Sequence, residues 1–384
     1  MEMELRKYEK YKHKLKFMLA CSGLWIDHET QPRLVGIALS LCSGIFNFAI
    51  SYGVFGFCVK YVANISLLTR GIGLFVSFFS SFLKVCLIRF HQDDLRALNS
   101  GVSQLFNTDL ATSEDRSQLL AHLRIFTKFF YTFDYSVALN VLLYMLIPLS
   151  FLRRGKYIRM YPQVLPFSYV PGGIVHWCIY GFEIVAGFFL WSVTCGVDSL
   201  FGYYTLQLVG ELRLLTSRFR ALKSSDSYKE SMKDCVRRHV QLTKSHHFLE
   251  RVFGFLAIWL ALTCAMVLCA LIFQASQMKH LTALKVCYLV CYSFLKLVQA
   301  YSYAWFGNII NVESEACLEA MYDAYWPGSG DTHFMNDVLI VLSQKPLVFT
   351  AKSVMVLGLD MFAKIVNTTV SYFFLLQTLD ETFN

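Results

Sequence analysis

The chain has 384 residues, of which 55% are hydrophobic and only 16% are charged, and its net charge is +8. Soluble domains carry about 25% charged residues, whereas here the charges fall in blocks between long apolar runs. This composition excludes an ordinary soluble domain and predicts a polytopic membrane protein. The basic residues lie beside the apolar runs, so we interpret them as topology signals and expect no binding to nucleic acid.

The charged lead, 1–33, lacks the short apolar core and cleavage site of a signal peptide. Seven apolar runs follow it, each long enough to cross a bilayer as a helix. They lie at about 34–59, 66–90, 126–151, 174–203, 252–274, 281–306 and 354–379. The predicted fold class is therefore an all-α membrane protein with seven transmembrane helices.

The Lys and Arg residues of the connecting segments predict the orientation. With a cytoplasmic N-terminus, the inner segments carry 23 Lys and Arg residues and the outer segments carry 7, as the positive-inside rule requires. We therefore expect the N-terminus in the cytoplasm and, after seven crossings, the C-terminus outside the cell. Asn64 begins an Asn-Ile-Ser sequon in a predicted outer loop, so we expect it to be glycosylated.

Two inner segments are predicted to form a cytoplasmic helical anchor region. In the first, apolar residues recur every three or four positions, so we expect the fourth and fifth membrane helices to continue into the cytosol. In the second, an amphipathic helix is predicted to be broken at Pro346, and uncovered apolar faces of such helices predict a subunit interface. The chain then divides into the N-terminal segment (1–33), membrane helices 1 to 4 (34–206), a helical extension (207–251), membrane helices 5 and 6 (252–306), the anchor helices (307–353), and the last helix with its extracellular tail (354–384).

In the last predicted span, polar residues share one face at helical spacing. They are Asp360, Lys364, Asn367, Thr368, Ser371 and Thr378, with Leu375 interrupting them. Lipid would leave such groups unpaired, so this face is predicted to meet protein or water. A wet stripe containing one apolar side chain is typical of a pore helix with a hydrophobic gate, although ordinary packing of Leu375 gives the same pattern. Asp360 and Lys364 are spaced either to neutralise each other or to line a wide inner vestibule.

Several islands in the C-terminal half resemble the insect odorant receptor family in residues, order and spacing. They include Asp198-Ser199-Leu200-Phe201 with Gly210-Glu211, then Phe248-Leu249-Glu250, the run from Gln299 to Asn308, and Lys345-Pro346-Leu347 with Ser371-Tyr372-Phe373-Phe374-Leu375-Leu376. The resemblance implies an odorant-gated, non-selective cation channel of four subunits in the plasma membrane, in the dendrite of an olfactory neuron. The chain lacks the long insertion before the fifth span that marks the shared co-receptor. The resemblance therefore implies an odour-tuning subunit that forms a heterotetramer with co-receptor subunits and binds a small volatile organic ligand.

The same resemblance implies two sets of site residues. It places the pore constriction at Leu375, with Thr378 one turn further out, and these two with Ser371 are the candidate pore and gate residues. The odour pocket is expected where the outer halves of spans 2, 3, 4 and 6 meet, as an aromatic cavity with a few polar groups. The candidate ligand-binding residues are Phe75, Phe79, Tyr144, Met145, Tyr180, Glu183, Tyr288 and Tyr292. Aromatic residues at helical spacing also face lipid or pack in a core, and Glu183 suits either a cationic amine ligand or a hydrogen bond to a neighbouring helix.

Other classes of protein fit the sequence less well. A seven-helix gustatory-type channel subunit would share part of the tail, but the residues around Trp305 and Asn308 favour the odorant receptors. A G-protein-coupled chemoreceptor would carry Asn-Pro-x-x-Tyr in its last span, which here contains no proline, and a transporter would show repeat symmetry. The twelve cysteines have no CxxC spacing and no catalytic motif is visible, so we expect no metal, no cofactor and no enzymatic activity.

Overall fold

The structure is a computed structural model that describes residues 2–25, 32–112, 116–152, 155–222, 228–276, 283–323 and 332–383. Helices dominate it. In chain order they are α1 (Glu2–Cys21), α2 (Arg33–Lys60), α3 (Ile65–Phe90), α4 (Gln92–Leu98), α5 (Gln104–Thr112), α6 (Arg116–Leu119), α7 (Leu123–Leu152), α8 (Ile174–Ala221), α9 (Tyr228–Ser276), α10 (Ala283–Tyr322), α11 (Thr332–Leu342) and α12 (Leu359–Phe383). A π-helical segment, Asn99–Ser103, joins α4 to α5, and two short strands, β1 (Thr350–Ala351) and β2 (Met355–Val356), precede α12.

Seven of these helices correspond to the predicted spans. By length and composition, five helices of the described chain can cross a membrane, and they lie in α2, α3, α7, α8 and α9. The other two, α10 and α12, are 40 and 25 residues long and carry charged residues inside their predicted spans, which lowers their hydropathy. At about 1.5 Å per residue, even α12 has the length to cross a bilayer core of about 30 Å.

The predicted continuation of the fourth and fifth spans is present in the structure. Helices α8 and α9 are unbroken over 48 and 49 residues, about 70 Å at 1.5 Å per residue, which is more than twice the thickness of a bilayer core. Their extensions, with those of α10 and with α1, α4, α5, α6 and α11, form what we call the anchor region. The apolar face of the α8 extension consists of Leu208, Leu212, Leu215, Phe219 and Leu222, all buried within the chain. This face is therefore filled by the same subunit, and the predicted subunit interface does not lie there.

The N-terminal segment is more structured than its charge suggests. Its residues Tyr8 and Tyr11 recur on one face of α1, and both are fully buried where α1 packs along α8. The hydroxyl of Tyr11 donates to the backbone oxygen of Ser199 over 3.0 Å, and the amide of Gln207 donates to the hydroxyl of Tyr8 over 3.0 Å. The charged lead is thus an amphipathic helix of the anchor region.

The last helix begins later than predicted, because residues 350–356 form a β-hairpin. Lys352 and Ser353 at its turn have φ angles of 50° and 57°, the left-handed region that occurs in tight hairpin turns. The carboxylate of Glu250 on α9 accepts hydrogen bonds from both the backbone nitrogen and the hydroxyl of Thr350, at 2.6 and 2.7 Å. The hairpin therefore ties the start of α12 to α9. In the anchor segment, α11 ends at Leu342, four residues before Pro346.

Candidate functional site

A cavity lies between the membrane helices, lined by residues of α3, α7, α8, α9 and α10. The space in it open to the centres of water molecules amounts to about 70 Å³, room for roughly five to seven water-sized positions at about 10–15 Å³ each. Its two ends differ in chemistry. We call them the aromatic end, which includes Tyr144, Tyr161 and Tyr292, and the charged end, which consists of Lys84, Asp198, Lys296, Gln299 and Tyr303.

Hydrogen bonds within the protein hold the rings of the aromatic end in place. Tyr144 donates to the hydroxyl of Tyr288 over 2.6 Å. The hydroxyl of Tyr292 donates to the backbone oxygen of Gly73 over 2.8 Å and lies 2.6 Å from the Ser77 hydroxyl. Because these hydroxyls are already engaged, the walls offer mainly ring carbon to a ligand, as an apolar molecule requires.

At the charged end, one carboxylate collects three donors. Asp198 accepts from the ammonium of Lys84 over 2.7 Å, from the Tyr303 hydroxyl over 2.8 Å and from the Gln299 amide over 2.7 Å. Lys296 donates to the other side of Gln299 over 3.3 Å, and its ammonium lies 5.7 Å from the ring centre of Tyr292. Lys84, Asp198 and Lys296 are each at most 8% exposed. Buried charges are costly unless paired, and Asp198 here offsets the buried charge of Lys84.

The structure brings some of the predicted ligand-binding residues to this cavity. Tyr144 and Tyr292 line it, and Tyr288 stands directly behind Tyr144. Met145 and Tyr180 lie nearby and are joined, since the Tyr180 hydroxyl donates to the Met145 backbone oxygen over 3.0 Å. We retain these five residues as the candidate ligand contacts and their close supports.

Glu183 is occupied by the protein itself. Its buried carboxylate accepts from the backbone nitrogen of Met160 over 3.0 Å and from the Gln163 amide over 2.5 Å, and it lies 3.5 Å from Arg159. All three partners belong to the segment between α7 and α8. Glu183 therefore fixes this segment against α8, so its partners lie in a connecting segment and not on the neighbouring helix that the alternative prediction named.

Phe75 and Phe79 do not line this cavity. The ring centres of Phe75 and Phe79 are 5.5 Å apart, and those of Phe79 and Trp259 are 5.6 Å apart. Phe75 lines a wide groove between α3, α9 and α12, whereas Trp259 borders both this groove and the cavity. Trp259, whose indole nitrogen donates to the Ser80 hydroxyl over 2.7 Å, is therefore the partition between the two spaces.

The face of α12 that carries the polar stripe is uncovered in the single subunit. Met361, Ile365 and Thr369 are buried on the opposite face, where α12 packs against α9 and α10. The exposed residues are Asp360, Lys364, Asn367, Thr368, Ser371, Leu375 and Thr378. Among the described residues, Asp360 and Lys364 form no ion pair within 4 Å, and both line the groove beside α12. The spacing prediction for the stripe thus describes the surface that α12 presents to its surroundings.

Asn64 lies at the exposed start of α3. Its side-chain oxygen accepts a hydrogen bond from the backbone nitrogen of Leu67 over 3.1 Å and caps the helix. Its glycosylation stays a prediction. In the described part of the chain, no group of three or more His, Cys, Asp or Glu side chains is arranged to hold a metal ion.

Comparison with known proteins decides the family. The family model described as 7tm Odorant receptor matches residues 64–370, most of the chain. The chain belongs to the 7tm odorant receptor family. This confirms the resemblance and the all-α, seven-helix membrane fold, and the family is one of receptors. The orientation of its termini stays a prediction.

Relatives of the receptor include odorant receptors and co-receptors of insects. It is 29% identical over 147 residues to Odorant receptor Or2 of Anopheles gambiae, covering 38% of each chain, and 22% identical over 237 residues to Odorant receptor 13a of Drosophila melanogaster, covering 57% of each. It is 24% identical over 152 residues to the Odorant receptor coreceptor of Aedes aegypti, covering 39% of the receptor and 32% of the co-receptor. The aligned parts thus span between one third and three fifths of these relatives.

Solved structures share the whole fold. The insect olfactory receptor OR5 from Machilis hrabei, in complex with eugenol, superposes with a TM-score of 0.82 over 98% of the receptor and 99% of that chain, at 16% identity. A second structure of OR5 gives a TM-score of 0.80 over 96% and 97%. At this identity the likeness shows the fold alone.

The charged end of the cavity is what sequence reasoning missed. Lys84, Asp198 and Lys296 each stand inside a predicted span, and an ionisable residue within a membrane helix marks a functional site by default. That signal was available for all three residues. Their convergence was not, because it depends on how α3, α8 and α10 are rotated against each other.

Proposed function

We propose that the receptor is the odour-tuning subunit of an odorant-gated, non-selective cation channel, which forms a heterotetramer with co-receptor subunits. The observation that carries this proposal is the uncovered polar stripe of α12. If this stripe faced lipid, the charges of Asp360 and Lys364 and the amide of Asn367 would lie in hydrocarbon. Four such helices around a common axis would instead line a wet pore, and co-receptors stand among the relatives of the chain.

Leu375 supplies the gate in this proposal. It is exposed on the same face as Ser371 and Thr378, one turn from each. A ring of apolar side chains in a narrow neck expels water and blocks ions without a plug. Opening then requires only that the four helices move apart at this level.

The cavity supplies the ligand site, and α9 connects it to the pore helix. Small volatile ligands bind in apolar cavities with few polar groups, which describes the aromatic end. On α9, Leu256, Trp259 and Leu260 line the cavity, and the same helix packs against α12. A ligand that prefers one position of Trp259 would therefore bias α12 through α9.

The free energy needed for opening favours several bound ligands per channel. A ligand opens the channel only if it binds the open state more tightly than the closed state. Moving the open fraction from about 1% to 99% needs about 5.5 kcal/mol, a large demand on one small molecule. Partial opening, or occupancy of more than one subunit, follows from this requirement.

In the cell, we place the receptor in the plasma membrane of the olfactory neuron dendrite, with the anchor region in the cytoplasm and the end of α12 outside. The family assignment favours this function over a gustatory-type subunit or a G-protein-coupled chemoreceptor.

The test is to express the receptor in cells with and without a co-receptor and to record currents evoked by a panel of volatile ligands. We expect ligand-evoked cation current in cells that express both subunits. Absence of current in every condition, with surface expression confirmed for both chains, would contradict the channel function.

A further inference from the structure

The charged end of the cavity holds more positive than negative charge. It contains two ammonium groups, Lys84 and Lys296, and one carboxylate, Asp198. Asp198 is paired with Lys84 at 2.7 Å and saturated by Gln299 and Tyr303. Among the described residues, no carboxylate lies within 4 Å of the Lys296 ammonium, whose hydrogen bond goes to the neutral amide of Gln299. Lys296 is thus a buried cation on a cavity wall without an anion of its own.

We propose that Lys296 receives an anionic head group, so that the ligands of the receptor include small monocarboxylates whose hydrocarbon chain points to the aromatic end. The proposal rests on the proposed function, because it names the ligand class of the same cavity.

Charge balance is the first reason. Transferring a carboxylate into a membrane protein is costly unless it is paired and hydrogen-bonded. Lys296 has unused hydrogen-bonding capacity, since an ammonium has three N–H donors and the structure gives it one side-chain acceptor. With a bound carboxylate, the charged end would hold two cations and two anions.

The shape of the cavity is the second reason. Beyond the charged end its walls are mainly apolar, formed by side chains such as Leu74, Val137, Leu256 and Leu295. A few polar side chains also line it, namely Ser77, Ser80, Asn140, Thr194 and Thr263. A short hydrocarbon chain can pack against these apolar side chains. The small volume limits the ligand to a short hydrocarbon chain.

The same arrangement works against cationic ligands. An amine at the charged end would face two ammonium groups and compete with Lys84 for Asp198. Like charges at close distance in a region of low dielectric constant repel strongly. The cavity should therefore separate head groups on one carbon skeleton in the order carboxylate, alcohol, amine.

The experiment compares hexanoate, hexan-1-ol and hexylamine on the receptor expressed with its co-receptor. We expect the half-maximal concentration of hexanoate to be lower than that of hexan-1-ol by at least about tenfold, since a hydrogen bond to a charged group is worth about 1.5–3 kcal/mol and 1.4 kcal/mol is tenfold. Lys296→Gln keeps the polar contact to Gln299 and removes the charge. It should weaken hexanoate roughly 10- to 100-fold and leave hexan-1-ol nearly unchanged.

Lys229→Gln is the matched control, because Lys229 is exposed on the anchor part of α9 and should not alter the order of ligands. Wild-type receptor that responds to hexan-1-ol as well as to hexanoate would overturn the proposal, as would equal losses for both ligands in Lys296→Gln. If Lys296→Gln does not reach the surface, the wild-type series alone gives the decision.

A binding measurement separates this proposal from the channel function. The melting temperature of the purified receptor should rise with hexanoate more than with hexan-1-ol, and this difference should vanish in Lys296→Gln. Stabilisation by hexanoate without any ligand-evoked current would support the ligand class and contradict the channel function. Current evoked by hexan-1-ol, with no effect of hexanoate on current or melting temperature, would support the channel function and contradict the ligand class.

Discussion

Leu375 is the one apolar residue on the uncovered stripe of α12, and its side chain is 53% exposed in the single subunit. If it closes the pore by excluding water, a smaller side chain should hydrate the neck. We expect Leu375→Ala to raise the basal cation current of the complex with the co-receptor, measured without ligand. Val370→Ala is the control, because Val370 is also exposed and apolar but lies off the stripe. Equal basal currents in Leu375→Ala and wild type, at equal surface levels, would count against the gate.

Glu211 is a buried acid among charged neighbours in the anchor region, outside the predicted spans. Its neighbours are Asp109, Arg218, Asp234 and Arg238, which are joined by ion pairs. Burial and the negative charge of Asp109 raise the pKa of Glu211 to about 8, against an opposite effect of Arg238. The folded protein therefore keeps a proton that the unfolded chain has already lost above its ordinary pKa of 4.5. Stability falls as the pH rises through this window and is lowest above about pH 8.

Glu211→Gln should remove this pH dependence, because the amide imitates the protonated acid and cannot ionise. We expect the melting temperature of the purified receptor to fall between pH 7 and pH 8.5 in the wild type and to fall less in the variant. Burial lowers the pKa of His246 to about 4, so His246 contributes little above pH 7. Glu319→Gln, at an exposed position, is the control. Parallel curves for the wild type and Glu211→Gln would show that Glu211 is ionised in the folded protein.

At the scale of elements, the contact between α10 and the segment leading into α12 depends on a glycine. A Cβ atom at Gly307 would lie 2.4 Å from the Cβ of Leu357 and 2.5 Å from its backbone oxygen. The backbone would have to move, and overpacking of this kind lowers the free energy of unfolding by about 1–3 kcal/mol. Gly307→Ala should therefore lower the melting temperature, measured on purified protein. Gly181→Ala in α8, where an added Cβ meets nothing within 4 Å, should not, and equal melting temperatures for the two variants would contradict this packing.

The elements also show where the sequence was sufficient. The bounds of α2 and α3 lie within one residue of the predicted spans, because each is a long apolar run closed by charged or polar residues. The hairpin before α12 was not predictable in this way. It places Lys352 and Ser353 in the left-handed region without a glycine, and its contact with Glu250 spans 100 residues of sequence. We predicted residues 354–356 as the first turn of the last helix, but they include strand β2 of the hairpin.

At the scale of the whole molecule, the sequence predicted the number of membrane helices and the face of α12, both of which follow from local periodicity. The candidate site was predicted in part. Tyr144 and Tyr292 lie on the cavity, whereas Phe75 lies on the groove beside α12, because helix rotation and not composition decides which space an aromatic residue meets. The burial of the apolar face of the α8 extension was not predicted for a similar reason, because helices distant in sequence pack against it.

The central claim is that the stripe of α12 lines a pore that is closed at Leu375. It is tested most directly by introducing single cysteines into α12 and applying a charged, membrane-impermeant thiol reagent from outside, with the wild type and its own cysteines as baseline. Current should change at Thr378→Cys with or without ligand, at Ser371→Cys only when ligand opens the gate, and not at Thr369→Cys, which faces the protein interior. Equal modification of Ser371→Cys and Thr369→Cys, or of neither in conducting channels, would contradict the account.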